Sequence, residues 1–170
     1  MNKVISFDLS VKGINRAIKE LNKYKDELNR KCNELIQQLT EYGNEFAKLE
    51  VLRLGAFDTG ELADSIQGFF DPSSRVGFIR ADCWYAVYVE FGTGVVGYGL
   101  TGEPSHPDSA AYGWVYDVNN HGDSGWVYFN DREGKLMRTK GQPSHPFMYN
   151  TFRELQQKAR DMASTVFATA

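Results

Sequence analysis

Between Ile14 and Leu49 the apolar residues recur in steps of three and four: Ile14, Ile18, Leu21, Leu28, Cys32, Leu35, Leu39, Tyr42, Phe46 and Leu49. That spacing is the period of an amphipathic helix and constrains everything around it. A straight helix over residues 11 to 54 would run about 65 Å, whereas a compact globule of this chain length has a radius of gyration of only about 15–16 Å. Either the helix breaks or it projects. Lys25 interrupts the stripe beside Asn22 and Asp26, two residue types that cap helices better than they continue them. The sequence therefore predicts a break or kink there and an N-terminal pair of helices. The heptad-like spacing also suits a coiled coil, but two amphipathic helices packed on the chain's own sheet is the simpler expectation. Ahead of the stripe, Ile5, Phe7 and Leu9 alternate with polar residues as in a half-buried strand, and Ser10 is placed to cap the helix.

The 170 residues suit one domain, with 95–142 as an insertion or arm. Hydrophobic residues make up 42% and aromatics 14%, enough for a real interior. The net charge of −3 argues against a broadly basic nucleic-acid surface but leaves room for a local basic patch. Cys32 and Cys83 lie far apart, which favours buried free thiols in a reducing compartment. No apolar run has the length of a membrane span, and the first residues lack the apolar core of a signal peptide; a soluble protein made in the cytoplasm is expected.

The segment Asp58-Thr59-Gly60-Glu61-Leu62-Ala63-Asp64-Ser65-Ile66 contains the tripeptide that surrounds the catalytic carboxylate of aspartic proteases. It occurs once, and the residues before it look helical where that chemistry needs a strand. A helix start explains more, with Asp58 or Thr59 as cap and Glu61 reaching back in capping-box fashion. Ile66–Phe70 and Val76–Ile79 flank Asp71-Pro72-Ser73-Ser74 and read as a hairpin. In Tyr85-Ala86-Val87-Tyr88-Val89-Glu90-Phe91-Gly92-Thr93-Gly94, strand propensity competes with helical spacing, and periodicity does not decide between them. Burial is the default fate of such a run, so Glu90 needs a partner: an arginine (Arg53, Arg75 or Arg80) or backbone amides. No Gly-Lys-Ser/Thr follows, so this is not a phosphate-binding loop.

Residues 95–142 alternate turn-formers with Trp114-Val115-Tyr116 and Trp126-Val127-Tyr128-Phe129, which predicts a long hairpin of two aromatic strands around 119–125. Trp114, Tyr116, Trp126, Tyr128 and Phe129 are candidate subunit-interface residues, since large aromatics are enriched where interfaces are buried. The repeat Pro104-Ser105-His106-Pro107 and Pro143-Ser144-His145-Pro146, with His121 and Cys83, invites a metal reading, but the paired spacing of a zinc site is missing and exposed or hydrogen-bonded loop histidines are expected. No nucleophile elbow is present. A last amphipathic helix runs from Met148 to about Phe167.

Three of these stretches together resemble the tail-component family of tailed bacteriophages whose namesake is the gene-ten product of a lambdoid phage. They are the helix leading into Asp58, Thr59, Gly60, Leu62 and Ser65; Tyr85 with Glu90, Phe91 and Gly92; and Pro146-Phe147 at the head of the last helix. The long aromatic insertion departs from the shortest members. The resemblance implies a structural virion protein that works in head–tail joining, or tail completion, at the neck as a subunit of a homo-oligomeric ring. Its partners would be the head–tail connector and tail-tube or terminator proteins, with at most passive proximity to packaged DNA. A tail-terminator ring protein is the neighbouring alternative, and an Asp-Thr-Gly hydrolase the remote one. No catalytic residue, cofactor or metal comes with it. The expected fold is α+β: a small antiparallel sheet packed by an N-terminal helical pair and a C-terminal helix, with a long aromatic β-hairpin insertion.

Overall fold

The computed structural model describes residues 4–56, 58–118, 124–130 and 133–168. It is an α+β fold with two small antiparallel hairpins. The predicted break is absent: α1 is one helix of 43 residues, Val11–Arg53. Asn22, Lys25 and Asp26 all face solvent, where poor helix formers cost only tenths of a kcal/mol each, roughly. Exposed pairs one turn apart, such as Arg30–Glu34 at 3.1 Å and Gln37–Glu41 at 2.8 Å, support the helix beyond them. Ser10 caps it as expected, its hydroxyl accepting from the Gly13 amide at 3.0 Å. The strand expected over 5–9 does not form. Phe7 and Leu9 are exposed, and the Asp8 carboxylate instead takes the Ser10 amide at 2.8 Å; the Ser10 side chain, and then this amide, lower the Asp8 pKa.

The face that α1 buries is offset from the leucine stripe. Thr40, Gly43, Ala47, Glu50 and Val51 are buried, while Leu35, Leu39, Tyr42 and Phe46 are half-buried and Leu49 is exposed. The cause is close approach by a hairpin, β1 (Ile66–Asp71) with β2 (Val76–Ala81), registered Ile66↔Ala81 through Asp71↔Val76. A Cβ on Gly77 would lie 2.0 Å from Thr40 Oγ1, and one on Gly68 3.0 Å from Thr40 Cγ2, so glycines let the hairpin lie on the helix. At the hairpin turn Asp71 collects the Ser74 hydroxyl, the Ser73 hydroxyl and the Ser73 amide, which in that order hold its pKa down at about 2.

Helix α2 (Glu61–Ser65) precedes β1, and α3 (Ala86–Phe91) and α4 (Gly94–Tyr98) follow β2, so the ambiguous 85–94 stretch is helical. The second hairpin pairs β3 (Trp126–Asn130) with β4 (Lys135–Thr139), Trp126 opposite Thr139. This corrects the expected pairing of 126–129 with Trp114–Tyr116, which is irregular. The two-residue β5 (Gly141–Gln142) bridges to Thr93 and Gly94. Helix α5 (Phe147–Ala168) runs back along α1: Asn150 bonds Glu50 at 2.7 Å, Tyr42 donates to Glu154 at 2.7 Å, and Phe167 lies with Tyr24, Leu28 and buried Lys31. The core joins Ala47 and Val51 of α1 to Leu62, Ile66, Ala86 and Phe147. Both cysteines are free and half-buried, more open than expected. No described helix is long and apolar enough to cross a membrane.

Candidate functional site

The three stretches singled out in the sequence meet in the core at Leu62, Ala86 and Phe147, and two of them, with His106, also meet around one carboxylate. Glu90 sits in the last turn of α3 and is 7% exposed. Its Oε2 accepts the Met148 amide at 2.9 Å and its Oε1 the Tyr149 amide at 2.9 Å. These are two of the first, otherwise unpaired N–H groups of α5, so a residue from another helix acts as the cap. The negative charge also stands at the positive end of the α5 dipole. The second arm of the Glu90 expectation, backbone amides, thus holds. The arginine arm does not: Arg53 pairs with Glu50, Arg75 reaches Asn29 at 2.8 Å and Arg80 pairs with Asp82 at 2.9 Å.

The third partner is His106, whose Nε2 lies 3.1 Å from Glu90 Oε1. His106 is only 3% exposed, so of the two forms expected for a loop histidine it takes the hydrogen-bonded one and not the exposed one. Its Nδ1 accepts the Asp108 amide at 3.1 Å, which leaves Nε2 as the nitrogen that carries hydrogen and donates to the carboxylate. Both ring nitrogens are therefore engaged. The signal that pointed to His106 was the duplicated Pro-Ser-His-Pro, and its two copies converge here. Ser144 donates its hydroxyl to the Glu90 carbonyl, the His145 amide bonds Val89 O at 2.9 Å, and the Ser144 amide meets Pro104 O at 3.4 Å. The repeat is a pair of straps around the end of α3.

Gly92 and Gly94 adopt φ of +78° and +61°. A Cβ on Gly92 would stand 2.8 Å from both Gln142 O and Ser144 N, and one on Gly94 2.4 Å from Lys140 O. Glycine is required because two backbones cross there. Phe91 stacks on Trp114 with centroids 5.0 Å apart, and also contacts His106 and Tyr112. Trp114 donates to Gly92 O at 3.2 Å and Tyr116 to Phe91 O at 3.0 Å. Those two expected interface residues thus spend their polar tips inside their own chain. Trp126 is half-buried, and Tyr128 and Phe129 are exposed. Pro146 leads into α5, and Phe147, 1% exposed, enters the core.

The Asp-Thr-Gly segment behaves differently from the expected cap. Gly60, at φ 94°, holds the N-cap position of α2 without a side-chain cap. The Thr59 hydroxyl accepts the Glu61 amide at 3.3 Å, and Ser65 bonds back to Leu62 O at 2.8 Å. Asp58, Thr59, Glu61, Tyr85 and His145 line a cleft of about 480 Å³. Burial, and then the neighbouring Cys83, pushes the Tyr85 phenol up to about 12, so it stays protonated across the physiological range. Among the described residues no group of three His, Cys, Asp or Glu side chains is placed to hold a metal; His121 and the rest of 119–123 lie outside the described residues. Chemically, the Glu90 cluster holds two helices and two loops together, its acceptors and donors already matched to one another. Compared with known proteins, the chain matches no family model, and no curated protein or solved structure is significantly similar to it.

Proposed function

We propose that this chain is a structural virion protein of a tailed phage that acts in head–tail joining, or tail completion, as a ring subunit at the neck. The observation that carries the reading is the convergence just described: the stretches that resemble the phage family pack against one another in the core at Leu62, Ala86 and Phe147, and Glu90 joins the second to the third as a buried cap instead of opening onto a reaction centre. A virion scaffold needs such locking, because its subunits must hold a fixed shape under load. The Asp-Thr-Gly hydrolase alternative fares worse, since Gly60 and Thr59 are occupied in starting α2.

The test is cryo-electron microscopy of particles carrying a tagged copy of the chain. Ring density between the head vertex and the tail tube supports the reading. Label at the far end of the tail, or no label in mature particles, refutes it, and a ring capping the tube of free tails moves the assignment to the terminator role.

A further inference from the structure

We propose that the amino-terminal half of α1 is a docking arm that seats on the acidic body of a second copy of this chain, head to tail. The proposal deepens the ring reading and rests on it for closure of the assembly. Val11, Ile14, Ile18, Leu21 and Leu28 form the start of the heptad-spaced stripe, yet they are 77%, 39%, 50%, 55% and 41% exposed. Further along, α1 enters the core at Ala47 and Val51 without a break, so the arm holds a fixed direction from the body. An aliphatic stripe of this length on one helix face is a surface that wants a partner.

Charge identifies the partner. Residues 11–30 carry six Lys or Arg (Lys12, Arg16, Lys19, Lys23, Lys25, Arg30) and three acids (Glu20, Asp26, Glu27), a net +3 in a chain of net −3; Lys31 is buried and belongs to the body. The remaining residues therefore carry −6. Two arms laid together would bring +3 against +3, and a parallel pair would face Lys25 with Lys25 along the seam, which opposes a symmetric coiled coil. An arm on the body of the next copy joins opposite charges and covers the aliphatic stripe. Such a contact uses different surfaces of each copy, so it propagates until a ring closes. Duplex DNA would satisfy the basic residues but offers nothing to five aliphatic side chains, so a protein surface fits better.

The experiment is sedimentation velocity on the full chain at low and high salt, for the parent and for Ile18→Ser/Leu21→Ser. Both positions are exposed, so the double variant should keep its fold, which circular dichroism checks. We expect parent association to weaken with salt and the variant to associate at least about tenfold more weakly. Carbodiimide coupling in a mixture of light and isotopically heavy chains should join Lys12, Lys19 or Lys23 of one copy to acids beyond residue 53 of another. Undiminished association of the double variant, or links confined to arm against arm, overturns the arm proposal and leaves the ring reading standing. A parent chain that stays monomeric while duplex DNA protects the arm lysines overturns both.

Discussion

Replacing Glu90 with alanine tests the reasoning about the site most directly. The parent carboxylate takes three donors at 2.9, 2.9 and 3.1 Å from Met148, Tyr149 and His106, in a position 7% exposed. Each buried donor left without an acceptor costs about 1–3 kcal/mol, and losing a helix cap alone costs about 0.5–2 kcal/mol. The groove of about 500 Å³ beside Glu90 lets water recover part of this, so the net loss should be about 3–5 kcal/mol. For a chain of this size that corresponds to roughly 6–20 °C in Tm, at about 2–4 °C per kcal/mol. Glu90→Gln keeps one acceptor oxygen and should lose about 1–3 kcal/mol. Urea unfolding followed by circular dichroism reads both, and a cycle with His106→Ala should give a coupling of about 0.5–3 kcal/mol. If Glu90→Ala stays within about 0.5 kcal/mol of the parent, the range of an ordinary surface change, the cap account is wrong.

Three further outcomes follow from other contacts. Gly77→Ala places a Cβ against Thr40 Oγ1 and should destabilise by about 1–3 kcal/mol; adding Thr40→Ala should return part of that in thermal melts, and no rescue would mean the hairpin does not rest on this helix face. Hydrogen bonding to Arg53, aided by Asn150, lowers the Glu50 pKa, so its stabilisation is full above the unfolded value of about 4.3 and fades as pH falls from there through the folded value. The stability gap between the parent and Glu50→Gln should narrow on that acid limb and stay flat above it; a gap that widens on acidification contradicts the assignment. Tyr116→Phe should cost about 0.5–1.5 kcal/mol and Trp114→Ala about 2–4 kcal/mol of chain stability, because both side chains dock on α3; unchanged melting with lost self-association would return them to an interface role.

What the sequence determined by itself lay within a few residues of each signal. The 3.6 period announced α1 and α5, Ser10 announced the start of α1, and Asp71-Pro72-Ser73-Ser74 announced the first hairpin, because each depends on bonds or turns closed locally. The same local view announced that Glu90 would be drawn out of water by its apolar neighbours. Its actual partners sit 16, 58 and 59 residues away, and no local term encodes which distant donors arrive. Local propensity also misjudged Asn22, Lys25 and Asp26, where tenths of a kcal/mol in solvent did not outweigh continuous hydrogen bonding along the helix. The tertiary structure alone decided which face of α1 is buried: the leucines offered more apolar area, but Gly68 and Gly77 bring a hairpin backbone against Ile36, Thr40 and Asn44. It likewise paired β3 with Lys135–Thr139, a strand without an aromatic signal, and turned Trp114 and Tyr116 inward. Strand partners and buried faces are set by which surfaces meet across the whole chain, and that is settled only when the chain is packed.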